Sequence, residues 1–423
     1  MRTDKDGHLK IHYHSDCTFF AGCENMIANF LNSRELEKAF RLTFSYRRSL
    51  RYEQGLALRV HTSAKVYGLT FPDPFDIESL FLSSSSRIIR VFGKLVRSVF
   101  VPILFLYEMV VLYRLFFSIK PDVLHINNGG YPGALSARAA VVAGRLAGVK
   151  FIVMVVNNMA VEYRSISRWL DFPVDIVIAA FVDVFVTGSK AASTRLSKVL
   201  RLPARKLAII HNGIFLRERT ETQSQMRERL YLTANSGVVL GVVAQLIPRK
   251  GHLILLSALT TLARRDRLPN GRLTLVIEGT GPLFDELNRY VVENKLSDVV
   301  RFVGDELNVM NLIGGIDILV FPSISDEDFP NVILEAMGLG KPVIAASLAG
   351  TPEQVVDGVT GLLINASDVE GLAMAIDFLC GDFRARDEMG RAAAKRFSAA
   401  FTDTIAVEKY SMLYRKNFYP SDE

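Results

Sequence analysis

The chain contains 423 residues, 49% of them hydrophobic and 22% charged, which is enough to bury large cores in two domains and excludes a disordered polymer. Its three cysteines (Cys17, Cys23 and Cys380) show no paired metal-ligand spacing, so the sequence indicates neither a disulfide framework nor a zinc site and favours a reducing cytoplasm. The polar stretch MRTDKDGHLK lacks the apolar core of a signal peptide, so export is not expected.

Charge is divided unevenly between the two halves of the chain. Residues 1–210 hold 28 Lys+Arg against 16 Asp+Glu, a net charge of +12, whereas residues 211–423 hold 22 against 28, a net charge of −6. A surplus of one sign attracts partners of the other sign. The first half is therefore predicted to meet an anionic partner.

The first half alternates short apolar, β-branched runs with stretches of helical periodicity, which is typical of βαβ units and a parallel sheet. The predicted strands of this half are 10–15, 40–46, 121–127, 151–157 and 183–189. The second of these strands runs into the sequence SYRRSLRY, whose arginines either bind an acceptor phosphate or belong to a solvated loop. These arginines are Arg47, Arg48 and Arg51.

A basic and then apolar segment follows before the third predicted strand. Four cations at spacings of three and four residues form a stripe on a predicted amphipathic helix: Arg87, Arg90, Lys94 and Arg97. The next stretch, 99–119, is nearly long enough to cross a bilayer. Crossing is rejected because the flanking strands must pair in one sheet, and because Glu108 and Arg114 oppose burial in lipid. We expect a pair of helices that either lies on an anionic membrane or packs on the sheet.

The second half repeats the βαβ pattern more regularly. Its predicted strands are 237–244, 273–279, 299–304, 317–323, 342–347 and 361–365. The expected fold class is therefore α/β, with two doubly wound Rossmann-like domains facing a cleft where nucleotides and phosphates bind. The predicted parts are a domain at 1–215, a polar linker at 216–236, a domain at 237–401 and a C-terminal helix, about 402–423, that packs back on the first domain.

The stretch EDFPNVILEA (327–336) contains two glutamates in an E-x7-E pattern. Pro330 suits the first position of a helix that ends near Gly338. Asn331 and Glu335 share the polar side of this helix. The apolar side is predicted to consist of Val332, Ile333, Ala336 and Met337. Free N–H groups at the start of the helix form an anion site between the two carboxylates, which suits a sugar nucleotide, although two solvated charges are the alternative for an isolated pattern.

The surroundings of this pattern resemble the retaining GT-B glycosyltransferases of family 4, also called group 1 glycosyltransferases. Their signature joins E-x-F-P-x-x-x-x-E-A to G-x-P-V, a glycine-rich turn, P-E and G-x-x-G-x-L. The stretch EDFPNVILEAMGLGKPVIAASLAGTPEQVVDGVTGLLI contains every part in this order. The resemblance extends to IIHNGI (209–214), VAQLIPRKG (243–251), EGTGPL (278–283) and VRFVG (300–304).

The resemblance implies roles for individual residues. Glu335 would hold the ribose of a nucleotide-diphosphate sugar, and Glu327 would hold hydroxyls of the transferred sugar. Lys250 would neutralise the diphosphate, on which negative charge accumulates as the glycosidic bond breaks. Gln245 stands where the family usually has an arginine, so either Arg249 compensates for the missing charge or the leaving group is stabilised more weakly. The backbone at the start of the helix would also contact the donor, at Phe329, Pro330, Asn331 and Val332.

The resemblance is fainter in the first half. FFAGCENM matches the turn after the first strand, where Gly22 either lets backbone N–H groups approach a phosphate or is an ordinary turn glycine. DVLHINN matches a D-x-x-H strand end, with His125 in a structural role. Asn157 and Asn158 replace the family's other histidine, so the sequence contains no obvious general base. In retaining enzymes of this fold the departing phosphate is thought to accept the proton.

Competing motifs are weak. DED at 326–328 imitates a D-x-D metal site but lies inside the E-x7-E loop, so neither a metal nor a cofactor is expected, and GTG at 279–281 lacks the rest of a dinucleotide fingerprint. We predict a metal-independent retaining glycosyltransferase, peripheral on the cytoplasmic face of the cell membrane. It would move sugar from a nucleotide diphosphate to a lipid-linked or polysaccharide-precursor acceptor, in lipopolysaccharide or cell-surface polysaccharide assembly, without nucleic acid. The alternatives are a hydrolysing sugar-nucleotide epimerase of this fold and an inactive nucleotide-sugar-binding membrane scaffold.

Overall fold

Two compact units make up the chain in its computed structural model. The first comprises residues 1–210 and 407–423, and the second comprises residues 211–406. The structure describes residues 8–20, 22–72, 87–232, 237–268, 273–305, 308–325 and 327–418, and from 87 to 99 it describes the helix without its side chains. The chain therefore passes from one unit to the other twice.

The first unit is a parallel sheet covered by helices. Its strands are β1 Leu9–Ser15, β2 Phe40–Arg47, β3 Lys65–Leu69, β4 Val123–Asn128, β5 Phe151–Val156, β6 Val184–Thr187 and β7 Leu207–Ile209. Its helices are α1 Glu24–Asn32, α2 Arg34–Ala39, α3 Leu50–Arg59, α4 Arg87–Ile119, α5 Leu135–Leu146, α6 Ile166–Leu170, α7 Phe172–Phe181 and α8 Lys190–Leu200. The strand order is β3-β2-β1-β4-β5-β6-β7, so the five strands predicted for this half form the centre of the sheet.

The second unit repeats this plan with six parallel strands. They are β8 Val238–Val243, β9 Leu273–Glu278, β10 Val300–Gly304, β11 Ile318–Phe321, β12 Val343–Ala346 and β13 Gly361–Ile364, in the order β10-β9-β8-β11-β12-β13. The helices are α9 Gln223–Arg229, α10 His252–Arg264, α11 Phe284–Glu293, α12 Val309–Gly315, α13 Asn331–Gly338, α14 Thr351–Gln354, α15 Val369–Gly381 and α16 Phe383–Ala400. All six predicted strands are confirmed.

Both sheets reverse their strand order at one point, between β1 and β4 and between β8 and β11. In doubly wound sheets ligands bind beyond the carboxyl ends of the strands at such a point. The central strands are buried on both faces, as the covering helices require. In β8, for example, Val239 belongs to one core of the second unit, whereas Leu240 and Val242 belong to the other.

Helix α4 differs from the predicted pair of helices, because it continues without a break from Arg87 to Ile119 and includes Pro102. It connects β3 to β4, and both of these strands lie in the same sheet. This confirms that the strands on either side of the helix belong to one sheet, which is the premise of the prediction that the helix does not cross a membrane.

Two segments outside the sheets each pack into one of the two units. The polar stretch 216–236 contains α9, whose N-terminus is closed by a reciprocal Thr222 and Gln225 capping box and whose Met226 is buried in the second unit. Helix α17 (Asp403–Lys416) enters the first unit from residue 407 onward. There the Tyr414 hydroxyl lies 2.7 Å from Nδ1 of His125, which is wholly buried, so His125 has a structural contact.

Candidate functional site

Two loops of the second unit meet at its switch point. One follows β8 and leads through a 3-10 turn at Pro248–Lys250 into α10, and the other follows β11 and leads into α13. The N–H of Ile324 donates to the Arg249 carbonyl at 2.8 Å. Gly251 has φ +71°, and a Cβ there would lie 1.9 Å from the Pro322 carbonyl oxygen, so the close approach of the loops requires glycine.

Lys250, Arg249 and Glu327 form an ion cluster between these loops. The Lys250 ammonium and the Arg249 guanidinium each donate to Oε1 of Glu327 at 2.5 Å. The Ser323 hydroxyl also lies 3.3 Å from this oxygen. Glu327 is only 8% exposed, which differs from the alternative of a solvated loop charge.

Burial sets the electrostatics of this cluster. It lowers the pKa of Lys250, while the charge and hydrogen bond of Glu327 oppose that shift. Interactions of a buried ammonium with an anion are stronger than those of a solvated one, because less water screens them. The site is therefore suited to receiving additional negative charge.

Helix α13, which follows the loop of Glu327, carries the second glutamate, Glu335. Pro330 is the residue before the helix rather than its first residue. It has no N–H, so the N–H groups of the first turn begin at Asn331. The carboxylate of Glu335 is 13% exposed and lies 3.7 Å from the Arg217 guanidinium. The buried side of the helix consists of Ile333, Leu334, Ala336 and Met337, whereas Val332 is only half-buried, which corrects the predicted pattern.

The loop before α13 is held by residues to which the sequence assigned no role. The His211 ring stacks on Phe329 with 4.8 Å between centroids and 7° between planes. The Asn212 amide donates to the Phe329 carbonyl at 3.2 Å and to Oδ1 of Asn331 at 3.3 Å. The Gln354 amide donates to the Pro330 carbonyl at 3.0 Å. Their signal was present in the motifs IIHNGI and PEQ, which predicted family membership without predicting these contacts.

Gln245 lies at the start of the loop after β8, where it is exposed. The neighbouring loop after β9 packs against it: the Leu246 N–H donates to the Thr280 carbonyl at 2.9 Å. Gly279 has φ +126°, and a Cβ there would lie 2.0 Å from the Ala244 carbonyl oxygen. The GTG sequence therefore serves loop packing here, as its incomplete fingerprint indicates.

The predicted residues of the first unit have different environments. Gly22 lies in the turn before α1, where its carbonyl accepts from the Asn25 N–H at 3.2 Å. Arg47 is not in a loop but ends β2, buried, with its guanidinium bound to Asp16 and 3.3 Å from Glu108 of α4. Arg48 pairs with Glu53 at 3.1 Å and is largely exposed, as is Arg51. Solvent therefore reaches two of the three arginines.

Helix α4 presents two different faces. Its inner face is buried and consists of Leu104, Glu108, Leu112 and Phe116. Its outer face exposes large apolar side chains, namely Phe100, Ile103, Leu106, Tyr107, Val110 and Phe117. Among the described residues, Phe100–Ile119 is the one helical stretch long and apolar enough to span a membrane, with 22% of its apolar window buried. The side chains of Arg87, Arg90, Lys94 and Arg97 lie outside the described residues.

The position of the family's second histidine holds an amide. Asn157 follows β5 and donates to Oδ1 of Asn127 at 2.7 Å and to the Asn128 carbonyl at 3.0 Å. This side chain ties together the ends of β4 and β5. Of the two aspartates in DED, Asp328 is buried, while Asp326 lies outside the described residues.

The fold is that of the GT-B glycosyltransferases. HepE of Anabaena, solved in complex with UDP, matches with a TM-score of 0.75 at 19% sequence identity, over 96% of this chain and 100% of that one. At that identity the likeness concerns the fold alone.

The chain belongs to the group 1 glycosyl transferases of family 4. The family profile "Glycosyl transferases group 1" matches residues 231–396, and "Glycosyltransferase Family 4" matches residues 55–218. The GDP-mannose-dependent alpha-(1-6)-phosphatidylinositol monomannoside mannosyltransferase of Mycobacterium tuberculosis is 30% identical over 284 residues, 62% of this chain and 69% of that protein. LpsE of Rhizobium meliloti, a lipopolysaccharide core biosynthesis glycosyltransferase, is 28% identical over 187 residues, 44% of this chain and 52% of that protein. The chain spans 45% to 56% of the length of four other curated relatives.

Proposed function

We propose that this protein transfers a sugar, with retention of anomeric configuration and without a metal ion, from a nucleotide-diphosphate donor to a lipid-linked or polysaccharide-precursor acceptor. Membership of a glycosyltransferase family supports the reaction class. The names of relatives support the donor and the acceptor class, because one is GDP-mannose-dependent and acts on a phosphatidylinositol mannoside, and others serve capsule and lipopolysaccharide core synthesis.

The observation that carries the proposal is the ion cluster in front of α13. As the glycosidic bond breaks, negative charge accumulates on the diphosphate, and fixed cations stabilise that charge most when little water screens them. Lys250 is such a cation, since its ammonium is buried and held by Glu327. Arg249 binds the same oxygen, so it supplies the second cation that Gln245 does not.

The two glutamates divide the recognition of the donor. Glu335, on the half-buried polar side of α13, accepts the ribose hydroxyls. Glu327, anchored by Arg249 and Lys250, orients the hydroxyls of the transferred sugar, and the N–H groups at the start of α13 face the diphosphate. The family mechanism has the departing phosphate take the acceptor proton, which fits a chain with Asn157 in place of a histidine.

The acceptor side of the proposal depends on α4. From Phe100 to Phe117 its outer face exposes aliphatic and aromatic side chains. The sequence of its N-terminal stretch is basic, and the two together are typical of helices that lie on anionic membranes. We place the protein on the cytoplasmic face of the cell membrane, where a lipid-linked acceptor is within reach. Because Glu108 pairs with Arg47 and is wholly buried, α4 meets the membrane while staying packed on its sheet.

Two glutamate variants test the donor site. A nucleotide sugar at a hundredfold excess over its Kd stabilises the protein by about 2.7 kcal/mol, so a thermal-shift panel identifies the donor. With that donor, Glu335→Ala should weaken binding of both the sugar nucleotide and the free nucleotide. Glu327→Ala should lose turnover while the free nucleotide still binds.

The matched control is Glu388→Ala, which removes an exposed carboxylate from α16. It should leave nucleotide binding and turnover at wild-type values. Near-wild-type kinetics for both Glu335→Ala and Glu327→Ala would contradict the assignment.

A further inference from the structure

Two thiols and a carboxylate converge where β1 ends and α1 begins, at the switch point of the first unit. Cys17 lies in the connecting loop, Cys23 precedes α1, and Glu24 is the first residue of α1. The two Sγ atoms are 3.8 Å apart, and Sγ of Cys23 lies 3.8 Å from Oε1 of Glu24. The three ligand-type atoms all lie within 4.8 Å of one another.

We propose that Cys17, Cys23 and Glu24 bind a divalent cation of the zinc type. Tetrahedral zinc has Zn–S bonds of about 2.3 Å and Zn–O bonds of about 2.1 Å, which place two bound sulfurs about 3.8 Å apart and a sulfur and an oxygen about 3.6 Å apart. The observed Sγ–Sγ separation of 3.8 Å equals the first value, and the 3.8 Å between Sγ of Cys23 and Oε1 of Glu24 is close to the second. A disulfide would instead need the sulfurs at about 2.05 Å.

The carboxylate is oriented by three separate elements of the fold. Oε1 of Glu24 accepts from the Ser15 hydroxyl of β1 at 2.6 Å and from the Asn127 amide of β4 at 3.0 Å. Oε2 accepts from the Tyr52 hydroxyl of α3 at 2.5 Å. Carboxylates that bind metals are held by such outer partners, which fix the direction of the remaining lone pairs. Glu24 is therefore preset by the sheet and not by the loop.

Solvent reaches the two thiols, and the three protein ligands do not complete the coordination of the ion. Cys17 and Cys23 are half-buried, so an ion can reach them from solvent, while Glu24 is wholly buried. Each thiol releases its proton to solvent as its sulfur binds the ion. Three protein ligands leave the fourth tetrahedral position for water or for a ligand from solution.

Sequence spacing did not predict this site because the two cysteines are six positions apart, outside the usual zinc patterns. The turn of the chain around Gly22 brings them together. The bound ion would tie the β1–α1 loop to the start of α1. The three ligands belong to the first unit, whereas Lys250, Glu327 and Glu335 belong to the second.

Cobalt and zinc titration of the full-length, chelator-stripped and reduced chain tests the proposal. We expect one Co²⁺ per chain, with a thiolate-to-metal charge-transfer band that Zn²⁺ removes by displacement, and a rise in Tm with Zn²⁺. Cys17→Ser and Cys23→Ser should each lose the band and lower the affinity more than about tenfold, since removing even an outer partner costs about that much. Cys380→Ser removes the third thiol, which is in the second unit, and should change neither.

Unfolding curves recorded without metal should coincide for the wild type and the serine variants, which separates lost ligands from lost folding. X-ray absorption of the zinc-loaded chain should give two sulfur neighbours at about 2.3 Å and light-atom neighbours at about 2.0 Å. The proposal is overturned if the reduced chain gives no charge-transfer band, if the band survives in both serine variants, or if Cys17 and Cys23 are found only as a disulfide that binds no metal after reduction.

Discussion

The carboxyl edges of the two sheets have the same strand order but opposite arrangements of charge. In the second unit two cations, Arg249 and Lys250, bind one oxygen of Glu327. In the first unit one cation, Arg47, binds two carboxylates, Asp16 and Glu108. The second unit therefore holds two cations where an anionic donor is proposed to bind. In the first unit, which has the same doubly wound fold, the cation binds helix α4 to the sheet.

Behind Arg47 the first unit carries a buried chain of hydroxyls and imidazoles. Its contacts run at 2.6 to 3.0 Å through Thr43, His12, Ser45, His14, Ser136 and Asp16. Burial would raise the pKa of Asp16, but the hydrogen bond and charge of Arg47 outweigh it and hold that pKa below its ordinary value. The difference between the two units shows that strand order sets where a site lies but not its chemistry.

The largest expected effect is on the buried ion pair of the first unit. Arg47→Ala leaves Asp16 and Glu108 buried without their shared cation, which should destabilise the protein by about 3–5 kcal/mol. Urea unfolding followed by fluorescence of the single tryptophan, Trp169, measures this in the first unit. Arg48→Ala, whose surface pair is largely exposed, should change stability by less than about 1 kcal/mol. Equal effects of Arg47→Ala and Arg48→Ala would contradict the assignment of Arg47 to a buried ion pair that stabilises the first unit.

The corresponding cation of the second unit should affect catalysis more than stability. Lys250→Ala removes a charge that we propose faces the leaving diphosphate, so kcat should fall by about 10²–10³-fold. Nucleotide release assayed with the identified donor measures the loss, and Lys395→Ala, at an exposed lysine of α16, is the control.

The activity of the wild-type protein should survive EDTA. Loss of activity with EDTA and its restoration by Mg²⁺ or Mn²⁺ would contradict the metal-independent mechanism.

The histidines predict a pH dependence of stability. Burial lowers the pKa of His14 to about 4; Asp16 opposes the shift and Arg47 adds to it. The unfolded chain therefore takes up a proton that the folded chain does not. The contribution of the neutral His14 side chain to stability is thus complete above pH 6.5 and is lost as pH falls toward 4. Between pH 6.5 and 5 the loss from His14 should be about 2 kcal/mol.

The slope of stability against pH measures this contribution. His14→Asn should reduce the slope reported by Trp169 fluorescence, and His61→Asn, at an exposed position, should leave it unchanged. An unchanged slope in His14→Asn would show that the imidazole chain does not titrate as the burial of His14 requires.

The smallest effect per residue is expected at the membrane. Removing one cation of the basic stripe should weaken binding to anionic vesicles by about 1 kcal/mol, roughly fivefold, because each Lys or Arg near the surface contributes about that much. Arg87→Gln, Arg90→Gln, Lys94→Gln and Arg97→Gln test this singly and together by vesicle sedimentation. Lys198→Gln, an exposed lysine of α8, is the control. Binding should weaken as salt rises; wild-type protein that ignores anionic vesicles at low salt would refute membrane attachment.

The sequence predicted the central strands because most of them are short apolar, β-branched runs, such as β5 (FIVMVV) and β8 (VVLGVV), that lie between stretches of helical periodicity. The edge strands β3 and β7 escaped prediction, since their residues are half-buried or exposed and the pattern is correspondingly weak. The sequence predicted two helices in place of α4 because the residue types change from basic to apolar near residue 98. That is a change of side chains and not of backbone, so the helix continues.

The motif predicted the donor-site residues but not their partners. Glu327, Glu335 and Lys250 were found from E-x7-E and PRKG, whose letters are local. Contacts such as Arg47 with Glu108 join residues 61 positions apart, and Ser136 with Asp16 joins residues 120 apart. No local periodicity reports such pairs, so the buried network of the first unit needed the folded coordinates.

The path of α17 has a consequence for synthesis on the ribosome. Residues 407–418 complete the first unit, where Tyr410 packs on Phe30 with ring centroids 4.9 Å apart and Tyr414 meets His125. Translation adds these residues only after all of 211–406 has been made. The first unit is therefore started first but completed last. Until residues 407–418 have been translated, the aromatic surface around Phe30 and His125 stays uncovered, although the whole sequence of the second unit has already been made.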